Sequence, residues 1–273
     1  MMQLGIFAKT FPGTDPLSVL SAVRDSGYAA TQFNLACCGL PSMPDAVPGS
    51  VVTAIQTAAE TTNVSLVALS GTYNMAHPDI SVRQTGLRQL AVVIETAAAL
   101  SIPLVTLCTG TRDPKDQWAH HPDNTDPSAW ADMATEMSKA LALAEKHGVD
   151  LGIEPEQANI VTSAEDAKRL IAEMGSKRLR IVLDPANLFE SATPPEARDI
   201  VERAVETAGG HIAMAHAKDR YADGRFATAG QGVVDFPDFI ARLKAVGFDG
   251  PLVTHGLSAA EAPLVSAFLQ DLV

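Results

Sequence analysis

Cysteine is scarce in this chain: Cys37, Cys38 and Cys108 are the only three, and none has the paired spacing that holds zinc. An odd, unpaired count argues against a disulfide framework and for a reducing compartment. No apolar run reaches the roughly 18 residues needed to cross a bilayer. The opening "MMQLGIFAK" has neither the charged start nor the long apolar stretch of a secretion signal, so the expected location is the cytoplasm, with no membrane partner. Basic residues are also few, 20 Lys and Arg against 32 Asp and Glu, for a formal net charge of −12. No basic cluster interleaves with aromatics, and affinity for a phosphate backbone depends on such charges, so no nucleic acid partner is expected. The first apolar run is not followed by a glycine-rich phosphate turn, and "GTRD" (110–113) lacks the Gly-Lys-Ser/Thr ending of a phosphate loop. Internal repeats, low-complexity tracts and linkers are absent.

Hydrophobic residues make up 47% of the 273, enough for a large core. Short apolar runs alternate with longer amphipathic ones. Eight strands are predicted, at 3–9, 30–36, 64–72, 103–110, 150–156, 179–187, 212–219 and 250–257. Helical segments separate and follow them, with N-terminal signals at Asp15-Pro16, at Ser163 and at Pro194-Pro195. Gly27, Gly148 and Gly247 stand where left-handed helix ends favour glycine. Strict alternation implies a parallel sheet covered by helices, and eight units imply a single (β/α)8 TIM barrel over residues 1–273, of class α/β. One long insertion, 111–130, follows the fourth strand and is expected to cover the barrel mouth.

Barrels carry chemistry at the carboxyl ends of their strands. Here four consecutive apolar strands finish on polar groups. "DLGIEPE" brings Glu154 and Glu156, "LRIVLDPAN" brings Asp184 and Asn187, "IAMAHAKD" brings His216, Lys218 and Asp219, and "GPLVTHGL" brings His255. Residues two apart on a strand share a face, so Gly152, Glu154 and Glu156 point one way, as do Val253 and His255. Two carboxylates and one or two imidazoles suit Mn²⁺, Co²⁺, Ni²⁺, Fe²⁺ or Zn²⁺. Without a cation between them the carboxylates would repel strongly. His147 and His211 read as structural.

The ordered set "LGIEP", "IVLDPANL", "AHAKD", "GQGVVDF" and "GPLVTHGL" resembles the xylose isomerase-like barrel superfamily, in its branch of sugar phosphate isomerases and epimerases that includes the tagatose-3-epimerase type. The resemblance implies one divalent metal ion, Mn²⁺ first and Co²⁺, Zn²⁺, Mg²⁺, Ni²⁺ or Fe²⁺ as alternatives, bound by a Glu, an Asp, a His and a second Glu. The first three fall on Glu154, Asp184 and His216. The last falls on His255, a departure that lowers the anionic charge of the site and changes its second proton carrier. A further departure is Asn187, where the family has a substrate-binding His.

The resulting expectation is a metal-dependent sugar or keto-sugar isomerase or epimerase working through an enediolate, with Glu154 and His255 catalytic and a small sugar-like substrate. A β-eliminating lyase or dehydratase and a non-catalytic sugar-binding barrel are the alternatives, and a homo-oligomer stays open. Candidate substrate contacts are His77, Arg112, Trp118, Glu156, Asn187 and Lys218. Three of them have a bland counterpart: His77 as a loop cap, Arg112 as a solvated surface residue, Lys218 as the ion-pair partner of Asp219. Cys37 and Cys38 read as small core residues.

Overall fold

A computed structural model describes residues 2–273. Eight parallel strands close into a barrel, at Gln3–Phe7, Ala30–Phe33, Ser65–Ser70, Leu104–Leu107, Asp150–Ile153, Leu179–Leu183, Ile212–Ala217 and Pro251–Thr254. The first strand pairs with both the second and the last, Gly5 standing beside Ala30 and Val253, which closes the ring. Eight α-helices follow the strands, at Pro16–Asp25, Gly49–Thr62, Ile80–Ala99, Pro127–His147, Ala164–Met174, Pro194–Ala208, Phe236–Ala245 and Ala262–Gln270. No helix among the described residues is long and apolar enough to cross a membrane.

The expected caps do their work. The Asp15 carboxylate accepts from the Ser18 N–H, the Ser163 hydroxyl accepts from the Asp166 N–H, and Thr193 with Glu196 forms a capping box ahead of Pro194. Gly27, Gly148 and Gly247 have φ of +88°, +72° and +81°.

Strand alternation divides the core into two layers. Leu252, Ile181, Ile153 and Val105 pack outward against the helices. Ala68, Leu104, Val182, Met214 and Val253 fill the barrel axis. Each fully buried aliphatic side chain of this kind contributes about 1.5–3 kcal/mol. Gly152 faces the axis too, where a Cβ would lie 2.7 Å from Val182 Cγ2 and 3.1 Å from a Leu104 methyl. The apolar plug thus fills the space below the mouth, and inward side chains one step further along each strand form its polar ceiling.

Three expectations need correction. The strands are shorter than their apolar runs, because "DPAN" turns into a 3-10 helix at Pro185–Asn187 and "KDR" leaves the barrel. Asp219–Arg220 instead pairs antiparallel with Phe226–Ala227 in a separate two-stranded ribbon. The long insertion ends earlier than 130, since Asp126 caps a helix that begins at Pro127. Its remainder is tied to the loops after the third and fifth strands: Asn74 Oδ1 accepts from the Thr111 N–H, and the Asn124 amide donates to the Ala158 carbonyl.

Candidate functional site

Glu154, Asp184 and His216 converge at the carboxyl end of the barrel, each offering one donor atom, all within 4.8 Å of one another. Local geometry sets each group. Asp184 caps the 3-10 turn that Pro185 starts, so its Oδ1 accepts from the Ala186 N–H at 2.9 Å. Its Oδ2 is buried and has no hydrogen-bond partner. That oxygen lies 3.4 Å from His216 Nδ1, and Glu154 Oε1 lies 3.3 Å from the same nitrogen.

The other face of the imidazole explains why Nδ1 points this way. His216 Nε2 is 2.9 Å from Gln32 Oε1. With the Gln32 amide nitrogen donating to the Ser70 and Thr106 hydroxyls, its oxygen faces Nε2 and accepts from an Nε2–H. The lone pair of a neutral His216 is thereby reserved for Nδ1. A buried orphan carboxylate oxygen, a second carboxylate and an imidazole fixed by an outer partner form a donor set that fits a divalent cation. Gln32 was not foreseen from the sequence. Its one signal was an amide inside the apolar run "ATQFNLA". Replacing Gln32 with Leu is expected to weaken Mn²⁺ binding by about 10–100-fold in a calorimetric titration, because the tautomer loses its anchor.

Charges in the cluster are strongly coupled. Burial alone would push His216 down, but Glu154 and then Asp184 raise it to about 9. Burial would raise Asp184, yet Lys218 and then His216 hold it down at about 2. His255 stands beside the three, its ring stacked on Phe7 at 4.9 Å and on His216 at 5.3 Å. Its Nδ1 is buried without a partner. Burial, and then the charges of His216 and Lys218, lower it to about 3, so this imidazole is neutral at physiological pH. Glu156 lies outside the three-residue cluster. Burial and then Glu154 lift it to about 7, against the pull of Lys218.

Asn187 and Lys218 join Glu154 in a chain. Lys218 Nζ donates to Asn187 Oδ1 at 2.9 Å, and Asn187 Nδ2 donates to Glu154 Oε1 at 2.6 Å. The donor-only ammonium and the acceptor-only carboxylate fix the amide in one orientation. Lys218 is therefore not the partner of Asp219, whose carboxylate accepts the N–H groups of Arg220, Gly230, Gly232 and Val234 and so holds the "GQG" loop.

The remaining candidates lie apart. Arg112 binds Asp132 at 2.8 Å, the Ala76 carbonyl and Ser128, so its guanidinium anchors the loop to the following helix instead of waiting for a ligand. His77 accepts from the Asp79 N–H and meets the Pro114 carbonyl at 3.2 Å, the loop-capping role. His77 and the half-exposed Trp118 line a groove of about 730 Å³ against the start of helix Ile80–Ala99, and no member of the Glu154–Asp184–His216 cluster lines it. All three cysteine thiols are pushed up by burial, Cys37 to about 11 and Cys38 and Cys108 to about 12, which leaves them inert.

The family described as "Xylose isomerase-like TIM barrel" matches residues 20–267. Among solved structures the chain is similar to the 3-keto-D-glucoside 4-epimerase YcjR of E. coli, with TM-score 0.78 and 17% identity over 99% of this chain and 100% of that one. It is similar to an L-ribulose 3-epimerase, with TM-score 0.77 and 19% identity over 99% and 94% of the two chains. A D-psicose 3-epimerase from Clostridium cellulolyticum aligns with TM-score 0.75 and 16% identity over 99% of each chain. An uncharacterized protein of Methanocaldococcus jannaschii is 25% identical over 157 residues, 53% of this chain and 52% of its own length, so the chain spans about half of that curated relative.

Proposed function

The chain belongs to the xylose isomerase-like TIM barrel family, and on that premise we propose that it is a divalent-metal-dependent isomerase or epimerase of a sugar or keto-sugar. The observation that carries the reading is the convergence of Glu154, Asp184 and His216 around the orphaned Asp184 oxygen. The printed names of the structural neighbours, epimerases of a 3-keto-glucoside, L-ribulose and D-psicose, support the same substrate class.

Glu154, Asp184 and His216 would hold the ion, and two carboxylates with one imidazole suit Mn²⁺, Co²⁺, Ni²⁺, Fe²⁺ or Zn²⁺. A bound ion would polarise the carbonyl and the neighbouring hydroxyl of the sugar and so acidify the C–H between them. Glu154 takes that proton, giving an enediolate. Glu154 Oε1 accepts from the Asn187 amide and faces His216, which leaves Oε2 to take the proton. Return of that proton by Glu154 to the neighbouring carbon completes an isomerisation. An epimerisation would take its proton on the opposite face from a second acid, the part of Glu156 still protonated near neutral pH, which then holds the negative charge until Glu154 passes the abstracted proton to it through solvent. His255, at the position of the family's second Glu, acts as a neutral imidazole, a fourth ligand or an N–H donor to the substrate. Glu156, protonated in part near neutral pH, contacts a substrate hydroxyl. That same protonated carboxyl next to a base is what a β-elimination would use as acid, which keeps a lyase as the second reading.

The test is exchange in D₂O. Metal-stripped protein is mixed with a panel of ketoses and keto-sugar acids, before and after Mn²⁺ is restored, and followed by NMR. Deuterium should enter next to the carbonyl of at least one substrate only after Mn²⁺ returns. Exchange at equal rate in the stripped protein would refute the metal-dependent mechanism.

A further inference from the structure

Lys218 is a buried ammonium without a directly paired anion. It is 8% exposed. Its Nζ donates to the neutral Asn187 amide and lies 3.8 Å from the centroid of the Phe226 ring. Among the described residues no carboxylate oxygen comes within the 4.0 Å of an ion pair with it. Asp219, next in the chain, is turned into the glycine loop. Arg220 directs its guanidinium to the carbonyls of Ala186, Glu190 and Gly224. An ammonium withdrawn from water is costly unless it is paired, and among the described residues Lys218 Nζ has one hydrogen-bond acceptor, Asn187 Oδ1, besides the Phe226 ring face.

The charge balance of the mouth leads the same way. Glu154 and Asp184 together match one divalent cation, and the eighth strand supplies an imidazole and no third carboxylate. Lys218 acts on Asp184 and Glu156 only at a distance and stands one amide away from Glu154, so no carboxylate of the mouth pairs with it directly. Phe226, 51% exposed, covers its outer side.

We propose that the substrate is anionic: a keto-sugar bearing a carboxylate or a phosphate whose oxygens seat on Lys218 in front of Phe226. This rests on the isomerase reading above and narrows its substrate class. Charge-assisted hydrogen bonds to a buried ammonium are the strong kind, and they are made only by a ligand that brings its own negative charge. A neutral ketose would leave the ammonium as it stands.

The experiment is calorimetric titration of Mn²⁺-loaded protein, and of the metal-free protein in parallel, with three probes: 5-keto-D-gluconate, D-fructose 6-phosphate and D-fructose. At least one anion should bind about tenfold or more tightly than D-fructose. Preference for the keto acid assigns a carboxylate, and preference for the sugar phosphate assigns a phosphate. Lys218→Met should bring the ratio to within about twofold of unity, while Lys218→Arg should keep most of it and shows that the pocket has not simply collapsed. Equal or weaker binding of both anions overturns the proposal, as does a preference that survives unchanged in Lys218→Met. Mn²⁺ binding is measured first on the same samples. A chain that takes up no Mn²⁺ sinks the isomerase reading, whereas one that takes it up but shows no anion preference sinks only this inference.

Discussion

Glu154→Gln will lower metal-dependent hydrogen exchange by about 10²–10⁴-fold, the range that a positioned base supplies. The amide has the shape of the acid, so it fits against Asn187 by presenting its oxygen to Nδ2. Its nitrogen then takes the place of Oε2, because the Oε1 that accepts from Asn187 is also the one facing His216 Nδ1, and a donor there can neither ligate an ion nor take a proton from the substrate carbon. The variant loses a ligand charge and the base together, and saturating Mn²⁺ should not rescue it. Asp184→Asn provides the contrast. Its amide oxygen can still accept from the Ala186 N–H, so the turn survives and only the inward oxygen is lost. That variant should show weakened Mn²⁺ binding with activity partly restored by excess metal. Exchange rates for both variants across a Mn²⁺ series check the pair. Retention of more than about a tenth of the activity by Glu154→Gln would make another residue the base.

Mn²⁺ affinity will rise about tenfold per pH unit from pH 6 to 8, close to a hundredfold in all. In the metal-free protein His216 carries a proton, because Glu154 and Asp184 outweigh burial and raise it to about 9. The ion needs the Nδ1 lone pair, so that proton must leave. Below about 9 each step down in pH makes its removal harder, and above about 9 the slope should vanish. His255 and Asp184 add no slope in this window, since both titrate far below it, and Glu156, lifted to about 7 outside the cluster, adds at most a fraction of a proton to the one that His216 gives up. Calorimetry at pH 7 in two buffers of different ionisation enthalpy should report about one proton released per ion. Flat affinity from pH 6 to 8 would mean that His216 does not supply the ligand.

The ordinary imidazole value near 6.5 would have located this dependence lower. The difference shows what the sequence could carry and what it could not. Strands and helices were legible because burial imposes periodicity, and Asp15, Ser163 and Gly148 mark their ends by local rules. Glu154, Asp184 and His216 were legible as polar residues ending apolar runs on neighbouring strands. Gln32 was not, because its meaning depends on Ser70 and Thr106, 38 and 74 residues away. The Lys218–Asn187–Glu154 chain was hidden for the same reason: three strand ends must meet before the amide has an orientation. Asp219 reads as the last residue of a strand, because nothing local reveals that it pairs with Ala227 and that its side chain gathers backbone groups from up to 15 residues away. Arg112 and His77 looked available for a ligand because nothing local reveals Asp132 or the Pro114 carbonyl as partners.

The central claim is that Glu154, Asp184 and His216 hold one divalent ion. It is tested most directly by equilibrium Mn²⁺ binding at pH 8, on the chelator-treated chain and on His216→Ala. One tightly held ion per chain, lost or weakened by at least about tenfold in the variant, is the expected result. No binding, or equal binding by the two proteins, would contradict it.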